Sequence, residues 1–363
     1  MNRRYRLGQS REAEDLDRPD AYAREGRAQS KRRQQSAERL LTDVETHDSE
    51  TMLRLPDPSP WMHFEEATLI QRHSQWVDLE TSDRGWLRAT LSGKLKGVKL
   101  VVGDRVRYSP VPVESVDVNL PQAQVVAIMP RRTLLKRGGI DDREPWQLMA
   151  ANADELWLCA AVVDPPLRPG LLERGQLLAL AAGMTFRVIV TKRDRASAKD
   201  TLPELDPLRE LGVNILETSS KQGQGLEELR SLLCHRSVVL AGHSGVGKST
   251  LINALIPDAQ LRIGEISRYG TGRQTTTSAL WLPAPGDGTI IDTPGIRNLS
   301  VRGLDRELLG IVFPEFPADW IEDPSGFDPE DEDLDLPYPE RLQSLQRLWL
   351  EMEERNPNQN VHR

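Results

Sequence analysis

The chain has 363 residues, a formal net charge of -8, 28% charged residues and only two cysteines, Cys159 and Cys234. That length allows two or three domains, and two cysteines exclude a disulfide framework or a four-ligand zinc site while suiting a reducing compartment. No apolar run approaches the roughly 18–20 residues that span a bilayer, and the opening Met1-Asn2-Arg3-Arg4 lacks the apolar core of a secretory signal, so a cytoplasmic protein without membrane contact is expected.

Residues 1–66 read as a charged N-terminal tail. Over 1–50 large apolar residues are almost absent, so burial cannot offset ordering entropy and disorder is expected. Lys31-Arg32-Arg33 could meet RNA phosphates or simply be solvated. Residues 67–138 change to short alternating runs, with strands expected at 75–79, 85–91, 105–108 and 124–128. Several short strands in so few residues predict a small closed barrel of OB type. Arg84, Arg88, Lys94, Lys96, Lys99, Arg105, Arg107, Arg131, Arg132, Lys136 and Arg137 crowd this region. Against the acidic whole, that local excess points to a nucleic-acid backbone. Trp76 and Trp86 are candidates for stacking on bases or for plain packing.

Residues 139–312 alternate strand and helix. The run 155–163 is almost continuously apolar, as in a strand buried on both faces. Helix 170–182, strand 186–190, helix 205–211, strand 213–216 and helix 225–233 follow, which predicts a parallel sheet with helices on both faces. Strand 237–241 then leads into Gly242-His243-Ser244-Gly245-Val246-Gly247-Lys248-Ser249-Thr250. This fits G-x-x-x-x-G-K-[ST] between a strand and a helix, the phosphate loop of nucleotidases. Its glycines let backbone N–H groups converge on a β-phosphate, and Lys248 carries a point charge to the β/γ oxygens. The Ser249 hydroxyl suits Mg²⁺, and the following helix turns its positive end to the phosphates.

Two earlier loops supply a base. Thr191-Lys192-Arg193-Asp194 resembles the element with which GTPases read guanine. A carboxylate accepts the adjacent N1–H and N2–H donors that adenine lacks, which makes Asp194 the selector and Lys192 a stem along the base plane. Thr191 stands where asparagine is commoner, so an amide that would brace the phosphate loop is missing. Thr218-Ser219-Ser220-Lys221 sits where backbone N–H groups meet guanine O6. Beyond the phosphate loop, Gly270 to Thr277 is a glycine-bounded threonine run from which Thr276, or a neighbour among Thr275 and Thr277, would complete a Mg²⁺ shell. A hairpin, 278–282 with 289–291, then delivers Asp292-Thr293-Pro294-Gly295. Asp292 would hold Mg²⁺ through water, and the Gly295 N–H would meet the γ-phosphate.

In most GTPases the phosphate loop comes first; here the base-reading loops precede it. With the barrel, Ala150 to Asp154, Thr191 to Asp194, Gly242 to Thr250, Gly272 to Thr277 and Asp292 to Gly295, the chain from about 68 to 316 resembles the circularly permuted ribosome-assembly GTPases of the RsgA (YjeQ) type. The resemblance implies an α/β P-loop GTPase with an N-terminal OB-type barrel and a small helical C-terminal region. It further implies GTP/GDP and Mg²⁺, and a monomer that acts late in small-subunit maturation on the small ribosomal subunit and its rRNA. The family usually adds a Cys/His zinc module after the GTPase domain. Here its ligands are absent, and 313–363 reads as an acidic linker, roughly 316–336, and a closing helix near 339–354. Ile296 occupies the usual place of a water-orienting glutamine, so intrinsic hydrolysis is expected to be slow, with help from Gln274 or Arg273 and stimulation by the subunit. The alternative is a GTP-gated RNA-binding or regulatory module whose hydrolysis is incidental.

Overall fold

The computed structural model describes residues 57–83, 85–95, 97–111, 122–141, 144–168, 170–197, 202–256, 279–293, 299–329 and 338–353. The expectations for 1–50, Arg273, Gln274, Thr275 to Thr277, Gly295 and Ile296 lie outside these residues.

Five strands close the barrel: β1 (Glu65–Arg72), β2 (Val77–Thr81), β3 (Trp86–Leu91), β4 (Arg105–Pro110) and β5 (Ala123–Ile128), in the order β1-β2-β3-β5-β4. β3 runs parallel to β5, the other pairs are antiparallel, and β1 pairs with β4 to complete the ring. Leu69, Leu79, Ala89, Val106, Val125 and Ile128 fill its interior. Four of these strands follow the expected runs. β1 is the one the alternation missed, because Glu65, Glu66 and Gln71 interrupt its apolar face.

The barrel's basic residues carry far less free charge than their count implies. Arg88 is buried against Asp78 at 2.8 Å, and Arg131 holds the fully buried Asp104 at 2.7 Å. Arg105 and Arg107 share Glu66, Arg132 pairs with Asp154 at 2.8 Å, and Lys136 lies 4.3 Å over the Trp146 ring. The face of Trp76 is taken by the Arg88 guanidinium, 5.0 Å from the ring centre, and Trp86 packs on the core.

A hairpin not anticipated from the sequence, β6 (Leu134–Asp141) with β7 (Glu144–Ala151), links barrel and sheet; the boundary expected at 138/139 falls inside β6. The main sheet then has β8 (Glu155–Ala161), β9 (Thr185–Thr191), β10 (Asn214–Glu217), β11 (Ser237–Ala241), β12 (Leu280–Ala284) and β13 (Gly288–Asp292), ordered β10-β9-β8-β11-β13-β12. All pairs are parallel except β12 with β13. β8 is buried at every position because it lies inside the sheet with both faces covered. Trp157 and Cys159 face α3 (Leu226–Leu233) and α4 (Lys248–Leu255). Leu156 and Leu158 belong to the opposite cluster with α1 (Leu171–Ala181). The remaining short helix before β10 is α2 (Asp206–Glu210). The barrel docks on the sheet edge, where the Trp281 indole N–H of β12 donates to Glu80 of β2 at 3.1 Å.

The C-terminal region holds α5 (Glu307–Val312), α6 (Ala318–Glu322) and α7 (Pro339–Glu353). The stretch expected to be a solvated linker is folded over its first half. Phe316 stacks on Trp320 at 5.9 Å, and Trp320 on Phe327 at 3.8 Å. From α7, the Gln346 amide donates to the Pro324 and Phe327 carbonyls at 2.9 and 2.8 Å, and the Trp349 indole N–H to the Glu322 carbonyl at 2.9 Å. Four aromatics spaced through 313–327 supply apolar area that the acidic composition conceals. The buried Arg341 anchors α7 by donating to the Val312 carbonyl at 2.6 Å and pairing with Glu315 and Glu173; burial pushes the Glu173 carboxyl up. Among the described residues no three His, Cys, Asp or Glu side chains gather as a metal site, and no helix is long and apolar enough to cross a membrane.

Candidate active site

Every loop in question leaves the carboxyl end of a parallel strand, the end at which open α/β sheets bind ligands. Thr191 closes β9, Thr218 follows β10, Gly242 follows β11, and Asp292 closes β13. β11 lies between β8 and β13, so the phosphate loop enters at the middle of the sheet.

The loop's shape demands its glycines. Gly242, Gly245 and Gly247 have φ of 139°, 85° and 100°. A Cβ at Gly242 would sit 2.6 Å from the Cys159 carbonyl oxygen, so the loop could not lie this close to β8 with any other residue. Gly247 precedes α4, whose first turn contains Lys248, Ser249 and Thr250, so free N–H groups of that turn open on the loop. Val246 is buried and anchors the loop from beneath. The Lys248 ammonium donates to the Gly242 and His243 carbonyls at 2.6 and 2.9 Å, folded over its own loop. Positive charge gathers here. Partial burial, then the charges of Arg168 and Lys248, hold the His243 imidazole below its ordinary pKa.

The base-side loops reach the phosphate loop directly. The Thr191 hydroxyl donates to the Val246 carbonyl, so the threonine supplies a brace of its own where an asparagine amide is missing. Lys192 adopts a left-handed backbone, φ 61°, and its ammonium donates to the Asp164 carbonyl. The buried Ser219 hydroxyl donates to Asp194 Oδ1 at 2.8 Å and accepts the Gln222 N–H at 3.1 Å, which fixes the carboxylate's orientation.

A cavity of about 450 Å³ lies between these loops, lined by Thr191, Lys192, Asp194, Arg195, Ser220, Lys221, Ser244, Gly245, Gly247, Lys248, Ser249 and Thr250. Asp194 and Lys248 therefore share one pocket, large enough for a nucleotide. Arg193 does not line it; its guanidinium pairs with Glu217 at 3.0 Å. Gly242, His243, Val246 and Ser219 do not line it either. Arg195 lies one residue beyond the four-residue base motif, so the motif does not single it out. The neighbouring position, on the same tight turn Arg193–Arg195, carried the only signal.

The RsgA GTPase family matches residues 128–302. The small ribosomal subunit biogenesis GTPase RsgA of Chlorobaculum parvum is 38% identical over 227 residues, covering 61% of this chain and 72% of that protein. The chain belongs to the RsgA GTPase family. The protein of that name from Moorella thermoacetica is 35% identical over 255 residues, covering 69% of this chain and 81% of its own length. The crystal structure of YjeQ from Thermotoga maritima superposes with a TM-score of 0.56 at 24% identity, over 80% of this chain and 99% of that one. YloQ, described as a circularly permuted GTPase, gives 0.54 at 22% identity, over 82% and 98%. The fold is thus that of a permuted GTPase, with base-reading loops before the phosphate loop, and as an RsgA GTPase the chain hydrolyses GTP.

Asp292, which closes β13, does not line this cavity, yet its carboxylate feels the charge of Lys248 and suits a divalent cation. Asp292 Oδ1 is buried without a hydrogen-bond partner among the described residues, and burial raises the Asp292 pKa, opposed by the charge of Lys248. A buried carboxylate oxygen of this kind is costly until a cation or its water shell meets it. Asp292→Asn is therefore expected to stabilise the nucleotide- and metal-free protein by about 1 kcal/mol at neutral pH. The sign follows from the raised pKa: the penalty is absent at acid pH, where the native carboxyl is protonated, and grows as pH rises through its titration. Melting curves of both proteins should converge on acidification, and a lower neutral-pH midpoint for the variant would contradict the assignment.

Proposed function

We propose that this GTPase is an assembly factor that acts on the small ribosomal subunit late in its maturation, binding with GTP and leaving after hydrolysis. The single observation that carries the reading is the pocket shared by Asp194 and Lys248 in a chain whose relatives are named small ribosomal subunit biogenesis GTPases. Within it, Asp194 accepts guanine N1–H and N2–H, the Lys192 stem lies along the base, and the Ser220 N–H meets O6. The N–H groups from Gly242 to Thr250 and the Lys248 ammonium hold the phosphates. Mg²⁺ would be held by Ser249, by Asp292 through water and by Thr276, and it would supply charge neutralisation between the β- and γ-oxygens. Gly295 is assigned to the γ-phosphate, and Gln274 or Arg273 to the attacking water.

With Ile296 unable to orient that water, intrinsic turnover is slow and the subunit completes the site. A partner that does so can raise the rate by about 10³–10⁵. Single-turnover GTP hydrolysis with and without purified small subunits tests this. Strong acceleration by the subunit is expected, while equal rates combined with GTP-dependent RNA binding would favour the gated RNA-binding module. The extensive pairing of the barrel arginines supports contact through shape and a few cations rather than through a broad positive face.

A further inference from the structure

A purine offers two faces as well as a polar edge, and the residues assigned above account for the edge and one face. The Lys192 stem covers that face; the other must also leave water when the base binds. Among the described residues lining the cavity none is aromatic. Among the lining residues outside the phosphate loop, Arg195 is the one with a planar cationic side chain.

The turn that carries Asp194 separates two arginines into different surroundings. Arg193 is drawn outward into its ion pair with Glu217. Arg195 lines the cavity, is exposed, and has no ion-pair partner among the described residues. Its N–H donates to the Lys192 carbonyl at 2.9 Å, which pins its Cα beside the two residues assigned to the base. A guanidinium is flat, weakly hydrated and able to stack on an aromatic face while its edge donors stay in water. An ammonium cannot do this, and the open cavity leaves the Arg195 side chain without a competing partner.

We propose that Arg195 is a base-stacking residue of the guanine site, its guanidinium covering the purine face that the Lys192 stem leaves open. The proposal rests on the reading of Asp194 as the base selector and adds a contact that the base motif itself does not contain. The contact involves neither phosphate nor metal, so it serves GDP and GTP equally. It tightens the resting complex and leaves the chemical step alone, as uniform binding does.

The test is the affinity for GDP, read by displacement of a fluorescent GDP analogue, in the wild type and in Arg195→Ala, Arg195→Lys and Arg195→Tyr. Because the side chain is exposed, melting midpoints should stay level across the set. Stacking predicts that Ala and Lys each lose about three- to thirtyfold in affinity, that Tyr restores most of it, and that the loss is the same at low and high salt. KM for GTP should rise with kcat unchanged. The proposal is overturned if Lys retains wild-type affinity and the Ala loss fades in high salt, which would mark a point charge acting on phosphate. It is equally overturned if Ala changes nothing while wild type binds GDP well. Failure of the wild type to take up GDP at all would instead sink the guanine-site reading beneath it.

Discussion

Lys248→Ala is expected to lower GTP turnover by about a thousandfold. The ammonium sits on the Gly242 and His243 carbonyls, over the loop proposed above to hold the phosphates. Two unit charges about 4 Å apart in surroundings of effective dielectric near 20 interact by roughly 4 kcal/mol. Charge builds on the oxygens of the transferred group in the transition state, so most of that energy is felt in the rate rather than in ground-state binding. Two further consequences follow from the same position. Lys248 is the charge that opposes the raised pKa of Asp292, so its loss leaves that carboxylate costlier to ionise. Lys248→Arg keeps the charge, but its planar fork does not fit a cradle of converging backbone N–H groups, so it should recover only part of the rate. Single-turnover hydrolysis at saturating GTP measures the effect. An alanine variant retaining a tenth of wild-type turnover would place the reaction elsewhere.

The parts of this site that were readable in the sequence are those whose chemistry needs fixed residue types at fixed spacing. Gly242 to Thr250 is legible because a turn that wraps a phosphate requires positive φ at Gly242, Gly245 and Gly247, and few other residues tolerate it. β8 is legible because a strand covered on both faces must be apolar throughout. Arg88, Arg107 and Arg131 show the opposite case. Counted along the chain they are a positive surface, yet in space Arg107 and Arg131 meet acids from a distant strand or turn and Arg88 meets its cross-strand neighbour Asp78, pairings that a charge count does not reveal. The folded stretch 318–327 was hidden similarly, since its aromatic stack is tied down by hydrogen bonds from Gln346 and Trp349 of α7 to its backbone carbonyls. Thr191 is more instructive. Its departure from the usual asparagine reads as a lost brace, and only the three-dimensional path shows the hydroxyl reaching the Val246 carbonyl by another route.

Asp194→Asn should weaken GTP binding by about a hundred- to a thousandfold and transfer preference to xanthine nucleotides. One oxygen of the native carboxylate is already held by the Ser219 hydroxyl at 2.8 Å, and Ser219 is itself buried and pinned by the Gln222 N–H. The carboxylate therefore cannot swing away, and its remaining lone pairs face the cavity as pure acceptors. Guanine's N1–H and N2–H are matched donors, and hydrogen bonds to a charged acceptor are worth about 1.5–3 kcal/mol each. An asparagine keeps its carbonyl oxygen on Ser219 and turns its NH₂ toward the base, donor against donor. The penalty is then a lost bond plus an unsatisfied group, the situation in which a polar site discriminates most sharply. Xanthine carries a carbonyl where guanine carries its amino group, so the same NH₂ finds an acceptor. Competition of GTP, xanthosine triphosphate and ATP for the wild type and the variant separates the contributions. Ser219→Ala should give a milder, same-direction loss for guanine without the gain for xanthine, because it frees the carboxylate without changing what it can accept. Were Asp194→Asn to keep wild-type affinity for GTP, the carboxylate would not touch the base, and the pocket beside Lys248 would need a different occupant.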